Sequence, residues 1–148
     1  MPLNAAAVGK TYPSYLYAVG REKVREYANA VGETDPLHLD LEAARAAGYA
    51  DVVAPPMFAV VYSGPAVAPA IFDPEVGINF AMMLHGSQEF AWSTPVVAGD
   101  EILTTVSVKD ISSRGTMGFY VFESVSHNAR REAVCTGTWT NIVRGVEG

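Results

Sequence analysis

The sequence has almost no cysteine and little charge for its length. Cys135 is the only cysteine in 148 residues, so no disulfide can form within the chain, and this usage is typical of a reducing cytoplasm. Because it alternates within a strand-like run, Cys135 is interpreted as a small core residue. Charged residues make up 18% of the chain and hydrophobic residues 49%. This balance argues against disorder and predicts apolar surface that an oligomer would cover.

Basic residues are few, and uninterrupted apolar runs are absent. Ten Lys and Arg against sixteen Asp and Glu give a net charge of −6. Nucleic acid is therefore disfavoured as a partner, because phosphate binding needs clustered basic side chains. The late arginines form either a local anion site or a solvated loop: Arg114, Arg130, Arg131 and Arg144. The longest apolar stretch, 52–72, contains four prolines, so the roughly 20 uninterrupted apolar residues of a membrane span are not present.

Helical periodicity dominates the first half of the chain. A short apolar run over 14–19 predicts an opening strand. From Arg21 the apolar residues recur with the spacing of an amphipathic helix, which Gly32 closes. A second short helix over 41–47 begins at an Asp40 N-cap. The all-apolar segment that follows Pro56 predicts a buried helix towards position 72, with Pro65 and Pro69 bending or breaking it before that point.

Alternation with a period of two dominates the second half. It predicts four strands, at 89–93, 102–109, 117–126 and 133–143, joined by turns at 95–100, 112–115 and 127–131. This order predicts an α+β fold, in which one curved antiparallel sheet wraps around the buried helix as a single domain over residues 1–148. The exposed edges of such a sheet favour edge-to-edge pairing between two copies.

The segment 32–40 places three carboxylates and a histidine around a proline. Glu33 lies five positions before His38, and Asp35 lies three before it. In a loop bent by Pro36, either carboxylate can turn back to hydrogen-bond the imidazole, and such a pair moves protons on and off water. The alternatives are a loop histidine that caps Asp35 or Asp40, a solvated Glu33, and an Asp35 that only forms the turn.

This segment resembles the Gly-Asp-x-Asn-Pro-(Ile/Leu)-His-x-Asp motif of the MaoC-family (R)-specific enoyl hydratases, which have a hot-dog fold. Further stretches resemble that family or its FAS1-like dehydratase branch: 17–23, 43–49, 85–90 and 95–100. The proline-rich step into the buried helix also matches. The resemblance extends from about Val8 to Val143.

The resemblance implies an α+β hot-dog enzyme, a hydro-lyase that hydrates trans-2-enoyl thioesters and dehydrates (R)-3-hydroxyacyl thioesters. His38 falls on the catalytic histidine of the family, Glu33 on its catalytic aspartate and Asp35 on an asparagine. Glu33 departs from the motif by one extra methylene, and small displacements at a reacting centre are costly. The chemistry that the resemblance implies needs no metal and no redox cofactor.

The resemblance also implies a substrate site and a partner. The hydratases carry His-Gly-Met where this chain has Pro55-Pro56-Met57, and proline has no N–H. The Met57 and Phe58 amides are therefore the candidate oxyanion donors. His85 is a candidate substrate contact, although a packing or interface role fits it as well. The implied substrate is an acyl group on CoA or acyl carrier protein, bound by a homodimer or by a heterodimer with a sister subunit.

Two alternatives to this activity remain at this stage. Some FAS1-like subunits bind the acyl chain while a hydratase partner supplies the catalytic pair, so the chain is alternatively a non-catalytic acyl-binding subunit. Thioesterase activity, which hot-dog proteins also show, is the weaker alternative because the ordered motifs match the dehydratase branch.

Overall fold

The helices and strands follow the predicted order in the computed structural model, which describes residues 2–147. They are β1 (Tyr15–Ala18), α1 (Arg21–Ala30), α2 (Pro36–Leu39), α3 (Leu41–Ala46), α4 (Ala59–Ile71), β2 (Met83–Trp92), β3 (Glu101–Arg114), β4 (Met117–His127) and β5 (Ala133–Arg144). Asp40 caps α3 by accepting from the Glu42 and Ala43 amides, as predicted. Gly32 follows α1 with a φ of 77°, a conformation that favours glycine at a helix C-terminus.

The five strands form one antiparallel sheet in the order β1-β3-β4-β5-β2. Helix α4 packs across one face of this sheet, where Val67 lies against Phe122 and Trp139 in a common apolar cluster. A second cluster surrounds Phe58, which precedes α4 and is fully buried. Phe90 packs against both clusters and joins them. The predicted sheet around a buried helix is confirmed.

Helix α4 is not broken by its prolines before position 72, and a break was one of the two outcomes predicted for them. It continues through Pro65 and Pro69 to Ile71. Both prolines are exposed and lie four residues apart on the same face, so water can reach the carbonyls that lose their N–H partners. Its 13 residues span about 20 Å at 1.5 Å per residue. Within residues 2–147 no helix is long and apolar enough to cross a membrane.

Strand β3 runs through three of the four positions predicted as a turn at 112–115, and only Gly115 lies in the turn. It continues to Arg114, which pairs with Met117 across a short turn at Gly115. A bulge shifts the register between Val108 and Asp110. The buried positions therefore change from even to odd, and the simple alternation that revealed the first part of the strand ends there.

Strand β2 forms an edge of the sheet and carries exposed apolar side chains. Leu84 is 52% and Trp92 49% exposed, whereas Phe90 turns inward. Gly86 sits in a bulge of β2, and a Cβ there would lie 2.7 Å from the Ile142 side chain. A larger side chain at position 86 would therefore displace Ile142. Strand β2 has no strand partner on its outer side among the described residues.

Candidate functional site

His38 is held by two contacts between α2 and the segment that leads to α4. Asp35 caps α2 by accepting from the Leu37 amide at 3.0 Å. The Val53 amide donates to the Leu37 carbonyl at 2.8 Å, and the Val53 carbonyl lies 2.6 Å from Nδ1 of His38. A carbonyl only accepts hydrogen bonds, so Nδ1 carries the proton and Nε2 is left as the basic nitrogen of the neutral ring. A one-turn helix therefore occupies part of the predicted loop and aims the imidazole.

The half-buried imidazole lines a cavity of about 340 Å³. The wall is mostly apolar and is formed by 53–56, by Tyr62 of α4, by 92–96 and by Val134. Its polar side chains, besides His38, are those of Tyr49, Tyr62, Ser93, Thr94 and Trp92. An apolar cavity with a few polar groups and one acid–base residue is the usual form of a small-molecule site.

The carboxylates predicted to reach His38 lie elsewhere. Within residues 2–147, no hydrogen bond joins Glu33 or Asp35 to the imidazole, and the Val53 carbonyl occupies the position they were predicted to take. The Asp35 carboxylate is used as the cap of α2. Glu33 lines a second depression of about 400 Å³ with Met57, and Pro55 and Pro56 line both spaces.

The start of α4 provides fewer donors than predicted. Phe58 is buried, and its amide donates to the Pro55 carbonyl at 2.9 Å, so it is engaged in the turn. Met57 is 49% exposed and lines the Glu33 depression rather than the cavity of His38. Pro55 and Pro56 have no N–H. The helix start therefore offers little to stabilise an anion in the cavity.

His85 is remote from His38. It lies on the exposed part of β2, with its ring 6.3 Å from that of Trp139 in an edge-to-face arrangement. Trp92, which borders the cavity, lies seven positions further along the strand, a distance of about 20 Å. His85 therefore belongs to the edge of the sheet and does not line the cavity of His38.

Sequence patterns did not indicate three residues that shape the cavity. Val53 orients His38 through its carbonyl, which no side-chain motif can reveal. Trp92 donates from Nε1 to the Pro56 carbonyl at 2.7 Å and closes one wall. Tyr62 and Ser63 are the polar residues of a helix that is otherwise apolar, and this contrast is the signal in the sequence that could have identified Tyr62. Burial holds the pKa of its phenol well above the usual range, with the neighbouring Cys135 thiol adding to the shift.

Cys135 is buried, as predicted, and burial raises the pKa of its thiol. A thiol of this kind stays protonated and behaves as a small apolar residue.

With this fold and this cavity, the chain is similar to proteins of one family. The family model described as "FAS1-like, dehydratase domain region" matches residues 6–137. A UPF0336 protein of Saccharopolyspora erythraea is 44% identical over 146 residues, which cover 98% of this chain and 94% of the relative. The chain therefore belongs to the FAS1-like dehydratase-domain family.

Two solved structures share this architecture. A chain of the C-terminally truncated HadBC (3R-hydroxyacyl-ACP dehydratase) complex from Mycobacterium tuberculosis is 27% identical, with a TM-score of 0.80, over 95% of this chain and 99% of that chain. A MaoC-like dehydratase is 32% identical, with a TM-score of 0.85, over 94% of this chain and 42% of that longer chain. The predicted hot-dog fold and the MaoC-like resemblance are confirmed.

Proposed function

We propose that this chain acts in the reversible dehydration of (R)-3-hydroxyacyl thioesters, with His38 as the general acid and base. The observation that carries the proposal is the His38–Val53 contact at the wall of the apolar cavity, which presents a neutral, basic Nε2 beside space for an acyl chain. The family of the chain and the names of its structural neighbours support the same reaction class.

The reaction needs one proton moved over a short distance. Nε2 of His38 removes a proton from the carbon alpha to the thioester, the C2=C3 double bond forms, and the C3–O bond breaks. The resulting imidazolium returns that proton to the departing hydroxyl, which leaves as water. Hydration is the same sequence in reverse. The Val53 carbonyl keeps the ring in the required tautomer throughout, a role that a carboxylate often has.

A second candidate function is a non-catalytic acyl-binding subunit. Two observations favour it. Glu33 lines a different depression from His38, and at the start of α4 Pro55 and Pro56 have no N–H while the Phe58 amide donates to Pro55. In this case a partner would supply the acid–base pair, and this chain would hold the acyl group.

The assembly belongs to the same proposal. We place a second hot-dog subunit, identical or sister, along β2, because that edge is unpaired among the described residues and exposes Leu84 and Trp92. One neighbour is itself part of a complex, HadBC. We further propose that residues 1–148 act as one hot-dog domain in the cytoplasm, on substrates carried by CoA or acyl carrier protein.

Hydration of crotonyl-CoA tests the two candidates. The catalytic proposal predicts that the purified chain removes the enoyl-thioester absorbance and that His38→Ala abolishes this activity. If the isolated chain is silent, it is mixed with a hydratase-type hot-dog partner. If the mixture is active and stays active when this chain carries His38→Ala, the result supports the acyl-binding subunit. Silence of the chain alone and of every such mixture overturns both.

A further inference from the structure

The cavity of His38 contains a second buried polar group, the hydroxyl of Tyr62. Tyr62 lies on α4, is only 2% exposed, and lines the cavity directly. Its ring packs against Phe58, with centroids 6.3 Å apart, which holds the side chain in place. Within residues 2–147, the polar side chain that acts on its hydroxyl is the thiol of Cys135. A thiol is a weak hydrogen-bond partner, so a ligand oxygen in the cavity would be the stronger acceptor for this hydroxyl.

The proposed reaction requires a donor in this place. Removal of the alpha proton puts negative charge on the thioester oxygen, and donors aimed at that oxygen account for much of the catalysis in such reactions. Such donors are usually the backbone amides at the start of a helix, and most of those amides are not available here. Pro55 and Pro56 have no N–H, and the Phe58 amide donates to Pro55.

The other polar groups of the cavity are less suitable. The Trp92 Nε1–H already donates to the Pro56 carbonyl at 2.7 Å. Tyr49, Ser93 and Thr94 are half-buried or exposed, so water can satisfy their hydroxyls. Among these residues, Tyr62 combines a buried side chain with a thiol, a weak hydrogen-bond partner, as the neighbour of its hydroxyl.

We infer that Tyr62 is a catalytic residue whose hydroxyl donates a hydrogen bond to the thioester oxygen while His38 moves the proton. The inference rests on the proposed function and names the group that stabilises its anionic stage. The Tyr62 proton stays on the phenol during the reaction, so the proton balance still involves only the substrate and His38.

The protonation state of Tyr62 suits this role. Burial raises the pKa of its phenol well above the usual range, so the hydroxyl keeps its proton and remains a donor. Loss of one donor of this type typically lowers kcat by about 100- to 1,000-fold.

The first test compares Tyr62→Phe with Tyr120→Phe. Tyr120 is also 2% exposed, but it lies in the cluster under α4 that includes Phe122, away from the cavity. For crotonyl-CoA hydration, Tyr62→Phe should lower kcat by about 100-fold and leave KM within about threefold. Tyr120→Phe should leave both within about threefold. Equal losses in both variants, or a change in KM alone, overturn the inference.

The second test reads the hydrogen bond without turnover. Butyryl-CoA is saturated, so it can be neither hydrated nor dehydrated. With a ¹³C-labelled carbonyl, its bound infrared band should lie at lower wavenumber in the wild-type protein than in Tyr62→Phe. If the band depends on Tyr62 but the protein shows no hydro-lyase activity in any mixture, the donor site stands and the proposed reaction fails. If activity is present and the band is the same in both proteins, or if butyryl-CoA does not bind, the inference fails.

Discussion

Nδ1 of His38 and the carbonyl oxygen of Val53 lie 2.6 Å apart, across 15 positions of sequence. The contact joins a one-turn helix to the segment that begins the central helix of the fold. Because a carbonyl oxygen only accepts hydrogen bonds, it fixes the proton of the neutral imidazole on Nδ1. It replaces a carboxylate partner with one that adds no charge to an apolar cavity.

The first prediction concerns the two imidazoles. His38→Ala should lower kcat/KM for enoyl-thioester hydration by at least about 100-fold, because it removes the group that transfers the proton. His85→Ala is the control, since His85 lies on β2 away from the cavity. It should leave kcat/KM within about threefold. A large loss of kcat/KM in His85→Ala would instead show that His85 contacts the substrate.

The second prediction concerns Glu33. Its carboxylate lines the depression beyond Pro55-Pro56 and makes no hydrogen bond to His38 among the described residues. Glu33→Gln keeps the shape and removes the charge, so it should lower the hydration rate by less than about tenfold. General acid–base groups contribute about 100-fold or more. A loss of that size on steady-state measurement would show that Glu33 takes part in the proton transfer.

The third prediction separates a structural role of Asp35 from a chemical one. Asp35 accepts from the Leu37 amide and caps α2. Asp35→Ala should lower the free energy of unfolding by about 1 kcal/mol in urea titration, the usual loss for an N-cap. Asp35→Ser restores a capping oxygen without the carboxylate and should recover most of that stability. If Asp35→Ser has wild-type stability but no hydration activity, Asp35 takes part in the reaction.

The fourth prediction concerns acid stability. Lys10 Nζ lies 2.6 Å from the Asp73 carboxylate, to which the Tyr12 hydroxyl also donates, at 2.7 Å. These contacts, with the Lys10 bond the largest cause, lower the pKa of Asp73 to about 2. The folded pKa is below the ordinary value near 3.9, so this stabilisation is complete above about pH 4 and is lost as the pH falls towards 2.

Urea titrations across that pH range test the fourth prediction. The wild type should lose stability between about pH 4 and pH 2 more steeply than Asp73→Asn, which has no carboxyl group at this position to titrate. If the free energy of unfolding falls equally steeply with pH in the two proteins, other carboxylates determine the loss of stability in acid.

The fifth prediction concerns a buried amide on the edge strand. Neither the Oε1 nor the Nε2 atom of Gln88 has a hydrogen-bond partner among residues 2–147. An unsatisfied buried group costs about 1–3 kcal/mol, so Gln88→Leu should keep or raise the free energy of unfolding. Ser124→Ala is the contrasting variant, because it removes the oxygen that accepts from Trp139 Nε1 at 2.9 Å. That variant should lose stability at the same protein concentration. A clear loss for Gln88→Leu would mean that a second subunit or a bound water satisfies the amide.

Local chemistry made several parts of the fold predictable. The end of α1 at Gly32 and the cap of α3 at Asp40 are decided by backbone conformation and by one side chain close in sequence. Long-range effects defeated two other predictions. The prolines of α4 are tolerated because both lie on its exposed face, and the far end of β3 was hidden because a bulge reverses its alternation.

The site divides in the same way. The sequence by itself determined the family and put His38 beside an acidic loop and before a buried helix. It could not determine the partner of the imidazole, because Val53 contributes a backbone oxygen and any residue has one. Only the tertiary structure decided that Glu33 and His38 line different depressions and that Tyr62 shares the cavity of His38. The physical reason is that periodicity and capping act between neighbours in sequence, whereas a cavity is formed by segments that meet only when the sheet closes over the helix.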